Sequence, residues 1–256
     1  MMEKTDNLEE QRPDLVKSPV KPPEKILAID TSSVAGSIAL IQDGSVTDEL
    51  TVGKAGRHSE WLLPAIEEFL KGCKLDISEV DLFAAGNGPG SFTGLRIGVS
   101  TLKGLAWALS RPVIGVSTLE ALAMNIKGQD ALICPVFDAR KGQVYTAFFI
   151  LKHGCLERVT PDVAVNPEEI SGLLAGTGLL GESVPLIFIG HGLSVYGELI
   201  KAEIDGSSFA EEGLWDVSAG NIGLLASSKF GEAVTPVELL PTYRRPSEAE
   251  FKRNSR

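Results

Sequence analysis

The sequence predicts an α/β protein in which one arrangement of strands and helices occurs twice. Apolar runs with the length of strands alternate with stretches whose apolar residues recur every three or four positions, as on one face of a helix. Two landmarks repeat at nearly one offset. An aspartate that ends an apolar run recurs after 108 residues, from Asp30 to Asp138, and a Gly-x-Gly turn recurs after 104, from Gly86 to Gly190. Such agreement indicates a duplicated unit.

The first half is predicted to have the order β-β-β-α-β-α-β. Its elements are strands 26–30, 36–42 and 45–50, helix 59–72, strand 80–85, helix 91–109 and strand 112–116. Asp43-Gly44 is a strong signal for a two-residue hairpin between the second and third strands. Ser59 and Ser91 are predicted N-caps of the two helices, and Gly72 is a predicted helix stop.

The second half repeats this order more weakly. Strands are predicted at 131–137, 143–151, 156–159 and 186–189, and a helix at 167–174. We therefore expect four segments. They are a flexible N-terminal extension at 1–24, a first unit at 25–115 that carries partner-binding helices, a second, degenerate unit at 116–235, and a C-terminal tail at 236–256.

Composition limits the classes of function. The 256 residues carry a formal net charge of -10, which argues against broad contact with a phosphate backbone. The three cysteines form no CxxC pair, which favours a reduced, cytoplasmic compartment without disulfides. No apolar run is long enough to span a bilayer. The end of the chain, from Thr242, is locally basic with two aromatic residues and could contact RNA. Taken alone, this composition favours a solvated tail.

The loop Gly-Asn-Gly-Pro-Gly-Ser-Phe-Thr-Gly-Leu-Arg-Ile-Gly, at 86–98, lies between a predicted strand and the long helix. Backbone N–H groups at such a junction can hold an anion. Glycine inside a helix costs about 1 kcal/mol relative to alanine, so Gly94, Gly98 and Gly104 indicate that something approaches this helix closely. The spacing leaves two candidates open: the protein's own sheet and a partner.

Other polar residues have alternative interpretations. Asp30, followed by Thr31 and Ser32, could help to bind Mg²⁺, but capping of the turn by short hydrogen bonds is favoured. Asp138 stands beside Arg140, which favours a local ion pair over a general base. The three histidines have no metal-binding spacing, and a structural role is favoured for His191.

Three hairpin-connected strands followed by alternating helices resemble the ribonuclease H-like fold, and their duplication resembles the actin/sugar-kinase (ASKHA-like) superfamily. Several motifs together resemble the TsaB (YeaZ) family. They are Ile-Leu-Ala-Ile-Asp-Thr-Ser at 26–32, His-Ser-Glu-x-Leu-Leu-Pro at 58–64, the glycine-rich loop, Gly-Val-Ser-Thr-Leu at 115–119, Asp-Ala-Arg at 138–140 and, more loosely, Tyr-Arg-Arg at 243–245.

This resemblance implies a role in making N6-threonylcarbamoyladenosine next to the anticodon of tRNA. It implies a non-catalytic relative of the glycoprotease-like TsaD, which pairs with TsaD and is joined by the ATPase TsaE, and which meets tRNA only through that complex. A homodimer is an alternative assembly. TsaD has a His-Met-Glu-Gly-His metal motif where this chain has Thr118 and Leu122 in place of the histidines. We therefore expect no catalytic residue, metal or cofactor in this chain, with ATP and a metal ion in the partner complex.

Two sets of site residues follow from the resemblance together with the helical patterns. The predicted partner interface comprises His58, Trp61, Leu62, Ala65, Phe69, Gly94, Leu95, Gly98, Thr101 and Leu102. The predicted anion or nucleotide contacts are Asp30, Thr31, Ser32, Gly88, Gly90, Ser91, Asp138 and Arg140. Two enzymatic alternatives are a small ATP-dependent phosphotransferase of the sugar-kinase class, acting through Asp30 and Asp138, and a glycoprotease-like metallopeptidase.

Overall fold

The computed structural model describes residues 21–52, 58–179 and 184–244. The predicted extension therefore lies almost wholly outside the described residues. The elements are β1 (Lys25–Asp30), β2 (Gly36–Gln42), β3 (Ser45–Val52), α1 (His58–Gly72), β4 (Leu82–Gly88), α2 (Phe92–Ala108), β5 (Val113–Ser117), α3 (Thr118–Ala123), β6 (Ala131–Arg140), β7 (Gln143–Thr146), β8 (Phe149–Lys152), β9 (Cys155–Arg158), β10 (Val163–Val165), α4 (Ile170–Gly176), β11 (Leu186–Ile189), α5 (Leu193–Glu203), β12 (Ser208–Phe209) and α6 (Ala219–Ser228).

The first sheet has the strand order β3-β2-β1-β4-β5. β1, β2 and β3 pair antiparallel, and β1, β4 and β5 pair parallel. The predicted hairpin at Asp43-Gly44 is present, with both residues at positive φ. Helices α1 and α2 cover one face of this sheet, where Leu27, Ile29 and Phe83 are fully buried.

The second sheet repeats this plan with one elaboration. β6 pairs parallel with β11, which pairs parallel with β12, while β7 and β8 both pair antiparallel with β6, along different parts of its length. β9 follows antiparallel to β8. The protein is thus an α/β fold with two ribonuclease H-like units, as the sequence predicts.

The helix α6 joins the two units. It follows the second sheet along the chain, yet it packs on the first sheet against β1 and β2. The predicted division at 115/116 assigned this helix to the second unit. Its buried residues belong to one core cluster that includes Ala28 of β1 and Ile133 of β6. The face of the first sheet that is turned away from α1 and α2 therefore shares one apolar core with the second sheet.

Several local predictions are corrected by the structure. Ser59 is not an N-cap, because α1 already begins at His58. The predicted strand 143–151 is two strands, β7 and β8, which pair with different parts of β6. The elements α3, α5, α6, β10 and β12 were not predicted. The N-cap at Ser91 is confirmed, since its Oγ accepts a hydrogen bond from the Gly94 amide at 3.2 Å.

Residues 233–244, here called the C-terminal strap, run back over the first unit. Val234 pairs with Val113 at the edge of β5. The Thr242 amide donates to the carbonyl of Asn87 at 2.7 Å. The Lys103 ammonium of α2 donates to the carbonyl of Leu239 at 2.8 Å. A solvated tail from Thr242 onward is therefore wrong for Thr242 and Tyr243, which are bound to the first unit, while 245–256 lie outside the described residues.

Candidate functional site

The predicted anion contacts of the first unit lie where β1 and β4 end side by side. β1 ends at Asp30, which is followed by Thr31 and Ser32, and β4 ends at Gly88, which is followed by the loop that carries Gly90 and Ser91. The two loops are in direct contact, because the Ser91 amide donates to the carbonyl of Ser32 at 2.8 Å. A Cβ on Gly90 would lie 2.8 Å from the same carbonyl oxygen. The Ser91 N–H, one of the backbone groups predicted to hold an anion, is therefore already bound within the chain.

Asp30 caps its own turn. The residue is 1% exposed, and its Oδ2 accepts hydrogen bonds from the amide and the hydroxyl of Ser32 at 3.0 and 2.9 Å. This is the short side-chain-to-backbone pattern of an Asx turn. The turn-capping interpretation of Asp30 is therefore confirmed, whereas nucleotide contact at Asp30 stays a prediction.

The other carboxylate oxygen of Asp30 lies against the neighbouring strand. Its Oδ1 accepts no hydrogen bond from any described residue. A Cβ on Gly86 would lie 2.3 Å from Oδ1, so the strand leaves room for this oxygen only because residue 86 is glycine. Burial raises the pKa of Asp30 to about 7, and the nearby Asp216 contributes in the same direction, against the hydrogen bonds of Ser32. Near neutral pH this carboxyl is therefore neutral in part of the molecules.

Two glycines of α2, Gly94 and Gly98, pack against Thr31 in the turn after β1. The Thr31 Oγ1 donates to the carbonyl of Gly94 at 2.7 Å. A Cβ on Gly94 would lie 1.9 Å from the Thr31 carbonyl oxygen, and one on Gly98 would lie 2.3 Å from Thr31 Oγ1. For these two glycines the close neighbour is the chain itself. Gly104 is different, since it is exposed and has no atom within 4 Å of an added Cβ.

The predicted partner interface divides into covered and open residues. Five of its members are buried by the chain's own atoms: Leu62, Gly94, Leu95, Gly98 and Leu102. Their burial in this conformation is explained by the chain alone, and their contact with a partner stays a prediction. Trp61, Ala65, Phe69 and Thr101 are partly exposed, and the side chain of His58 lies outside the described residues. Contact of the open residues with a partner stays a prediction.

The exposure of two apolar side chains on the same helices was missed by the sequence analysis. Leu63 of α1 is 52% exposed and Trp107 of α2 is 57% exposed. Trp107 lies off the apolar stripe that the helical spacing of α2 identifies, so that periodicity could not reveal it. Leu63 belongs to the apolar side that the spacing of α1 predicts, together with Leu62 and Ile66, and the prediction of its burial there is wrong.

In the second unit, Asp138 and Arg140 form the expected local ion pair. The Arg140 amide donates to Asp138 Oδ1 at 2.7 Å, and its guanidinium lies 3.1 Å from Oδ2. The hydroxyl of Tyr196 on α5 donates to the same Oδ1 at 3.4 Å. The Arg140 side chain is 86% exposed, so the pair lies at the surface. Its predicted role as an anion contact is not tested by this geometry.

His191 has a partner that the sequence did not indicate. Its Nε2 lies 2.8 Å from Asp216 Oδ1, and its ring stands edge-on to Trp215 with centroids 6.0 Å apart. The hydrogen bond from His191 lowers the pKa of Asp216, and the nearby backbone of Ala35 and side chain of Ser33 act in the same direction. Asp216 therefore connects the turn after β11 with the turn after β1. Such a contact between residues 25 positions apart in irregular chain has no spacing signature.

Thr118 and Leu122, which the resemblance places where metal-binding histidines would stand, are part of the interior. Thr118 is fully buried, and its hydroxyl donates to the carbonyl of Pro89. Leu122 is also fully buried and lies in the apolar core. Among the described residues, no three side chains of His, Cys, Asp or Glu are grouped so that they could hold a metal ion. No helix in the described part of the chain combines the length and the apolar character that crossing a membrane requires.

Comparison with known proteins assigns this fold to a family. A family model described as "TsaD: tRNA N6-adenosine threonylcarbamoyltransferase" matches residues 53–244. The chain is 36% identical over 228 residues to "tRNA threonylcarbamoyladenosine biosynthesis protein TsaB" of Bacillus subtilis, which covers 89% of this chain and 96% of that protein. The chain belongs to the TsaB (YeaZ) family. The resemblance inferred from its motifs is confirmed.

Two further relatives agree with this assignment. TsaB of Escherichia coli is 38% identical over 125 residues, which cover 48% of this chain and 54% of that protein. The solved structure titled "YeaZ from Pseudomonas aeruginosa" superposes with a TM-score of 0.74 at 28% identity, over 86% of this chain and 99% of that one. The likeness to YeaZ therefore extends over both ribonuclease H-like units.

Proposed function

We propose that the chain is a non-catalytic subunit of the complex that makes N6-threonylcarbamoyladenosine in tRNA, in the cytoplasm. In this proposal it pairs with TsaD, TsaE joins the pair, and ATP and a metal ion belong to the partner proteins. Membership of the TsaB family and the match to the TsaD model support the pathway. tRNA is contacted through the complex, which fits a formal net charge of -10 on this chain.

The observation that carries the non-catalytic role is the position of Thr118 and Leu122. A metal site needs side chains with lone pairs directed at a common point. Leu122 has no donor atom, and the hydroxyl of Thr118 is turned to the carbonyl of Pro89. Both residues are fully buried, so the space of a metal site is filled by this chain's own core. The same filling argues against the metallopeptidase alternative.

The open part of the α1–α2 layer supports pairing. Leu63 of α1 and Trp107 of α2 expose large apolar side chains, and the same two helices carry the partly exposed Trp61, Phe69 and Thr101. Exposed large apolar side chains are enriched in protein–protein contacts. Gly104 adds a second argument. An exposed glycine inside a helix costs stability, and no described residue lies close enough to require it, whereas the close approach of a partner helix would.

A pair of matched glycine substitutions tests the pairing surface. Gly104→Leu places a bulky side chain on α2, and Gly172→Leu places the same side chain on α4 of the second unit. Neither position has an atom within 4 Å of an added Cβ, so we expect both variants to fold. Gly104→Leu should weaken the affinity for purified TsaD by at least about tenfold, whereas Gly172→Leu should leave it unchanged. Equal affinities of both variants and the unchanged protein would remove this surface from the proposal.

The non-catalytic role has its own test. The purified chain alone should not modify tRNA in the presence of threonine, bicarbonate and ATP, should bind Mg-ATP at most weakly in a calorimetric titration, and should contain no stoichiometric zinc or iron. Modification by the chain without any other protein would overturn the proposal. Tight binding of Mg-ATP would favour the phosphotransferase alternative.

A further inference from the structure

A cavity of about 300 Å³ lies at the carboxyl ends of β4 and β5, and of the predicted site residues it includes only Gly88. We call it the strand-end pocket. It is lined by Asn87, Gly88, Ser117, Arg158, Pro161, Asp162, Thr242 and Arg244. These residues come from both units and from the C-terminal strap, so only the folded chain brings them together.

Asp162 organises one side of the strand-end pocket. The residue is 7% exposed. Its Oδ2 accepts a hydrogen bond from the hydroxyl of Ser117 at 3.0 Å, and its Oδ1 accepts one from the Arg158 guanidinium at 2.5 Å. A second nitrogen of Arg158 donates to Glu120 at 3.2 Å. Arg158 is therefore held in place by two carboxylates, and its position does not depend on a ligand.

Arg244 is bound much less completely. Among the described residues its ion pair is with Asp162, at a long 3.9 Å, and its side chain is 41% exposed. A distance of 3.9 Å is too long for a hydrogen bond. The N–H donors of the Arg244 guanidinium, at the rim of the pocket, can therefore bind a ligand. The Asn87 amide also lines the pocket, over Gly115, where a Cβ would lie 2.4 Å from its Nδ2.

The strap forms the remaining wall. The Thr242 amide donates to the carbonyl of Asn87 at 2.7 Å. Gly88 has φ +122, and a Cβ there would lie 2.6 Å from the Thr242 carbonyl oxygen. Glycine at position 88 is thus required for the strap to lie this close, for both conformational and steric reasons. The wall is a specific contact of the fold.

We propose that the strand-end pocket binds a small anion through a carboxylate or phosphate group, with Arg244 as its principal contact and the Asn87 amide as a second donor. The lining carries the guanidinium groups of Arg158 and Arg244, and Arg244 has no hydrogen-bonded carboxylate among the described residues, in a chain whose formal net charge is -10. Guanidinium groups bind carboxylate and phosphate oxygens by paired, charge-assisted hydrogen bonds. The volume fits a small metabolite or a single charged group of a larger ligand. This inference does not depend on the role in tRNA modification.

The test uses the full-length chain and simple anions. Inorganic phosphate and acetate are titrated separately at constant ionic strength with chloride as the balancing ion, and binding is followed by NMR of the arginine side chains. We expect at least one of the two anions to shift the Arg244 signal saturably, and the stronger binder identifies the preferred group. Arg244→Ala should weaken that binding by about tenfold.

Arg111→Ala is the matched control, because Arg111 lies at the opposite ends of β4 and β5, where it contacts Ser78 and Asp81. It should bind as the unchanged chain does. Neither arginine contributes to the core, so both variants should fold. Binding should also slow hydrogen exchange at the Thr242 amide, since the ligand would hold the strap. The absence of saturable binding of either anion, or an equal loss in the Arg244→Ala and Arg111→Ala variants, would overturn the proposal.

Discussion

Thr31 determines how α2 sits on the first sheet. Its backbone and its hydroxyl occupy the space in which residues 94 and 98 would carry side chains, and the hydroxyl donates to the Gly94 carbonyl. Glycine weakens a helix, so its presence twice in this contact is compensated by closer packing. Gly94 and Gly98, which by their spacing could have formed a docking groove for a partner, thus contact Thr31 of the same chain.

This contact predicts opposite effects for two alanine substitutions in one helix. Gly98→Ala should lower the free energy of unfolding by about 1–3 kcal/mol, because the methyl group would lie 2.3 Å from Thr31 Oγ1. Gly104→Ala should raise it by up to about 1 kcal/mol, because an exposed helix position gains propensity without a clash. Urea unfolding of both variants measures the difference. A stabilising Gly98→Ala would contradict the packing described here.

Asp30 predicts a pH dependence of stability. Its pKa is raised to about 7 in the folded chain, compared with about 4 when unfolded, so between these values the folded state binds more protons. Stability should therefore fall as pH rises. From pH 5 to pH 8 the Asp30 contribution should decrease by about 2–3 kcal/mol.

Asp30→Asn should remove this part of the pH dependence, because the amide does not titrate. The measurement is urea unfolding of both proteins at pH 5 and pH 8. The unchanged protein should lose more stability between the two pH values than the variant. Equal losses would show that the buried carboxyl does not titrate in this range.

At the level of elements, the C-terminal strap is held by side chains of α2. The Arg96 Nε donates to the Tyr243 hydroxyl at 2.8 Å, and the guanidinium lies 3.8 Å from the centroid of the Phe92 ring. The rings of Phe92 and Tyr243 are 4.9 Å apart. An aromatic pair with a cation over one ring is worth about 1 kcal/mol or more at a partly exposed site. The strap is therefore a specific element rather than a loose end.

Removal of the Tyr243 side chain should release the end of the strap. Tyr243→Ala should speed hydrogen exchange at the Thr242 amide by about tenfold, because both the ring contact and the hydrogen bond of Arg96 are lost. Tyr243→Phe keeps the ring contact and should have a smaller effect. Unchanged exchange in Tyr243→Ala would show that the backbone contacts of the strap suffice.

At the scale of the whole molecule, α6 makes the two units interdependent. The Ser37 hydroxyl on β2 donates to the carbonyl of Val217 at 2.9 Å and accepts from the amide of Ala219 at 3.0 Å. A Cβ on Gly223 would lie 1.9 Å from Ile41 Cδ1. α6 therefore closes one face of the first sheet while its apolar residues belong to the core shared with the second.

Gly223→Val should consequently destabilise both units together. The overpacking against Ile41 should cost about 1–3 kcal/mol. Hydrogen exchange at Ala28 in β1 and Ile133 in β6 should reveal equal losses of opening free energy, because both amides lie in one cooperative core. A loss confined to β1 would mean that the units open separately.

The sequence by itself determined the duplicated order of strands and helices, the hairpin at Asp43-Gly44, the N-cap at Ser91 and the family. These follow from periodicity, turn chemistry and motifs, which act over a few neighbouring residues. Local spacing also identified the apolar stripe of α2, but it could not say whether the chain or a partner covers that stripe, because both would produce the same period.

Only the tertiary structure decided that Thr31 fills the space beside Gly94 and Gly98, that α6 returns to the first sheet, and that Arg158, Asp162 and Arg244 surround one pocket. The hydrogen bond between His191 and Asp216 is of the same kind. Such contacts join residues that are distant in sequence and lie in irregular chain, where no repeating pattern records which residue will be the neighbour. Their partners are chosen by how the two sheets, the helices and the strap pack in three dimensions.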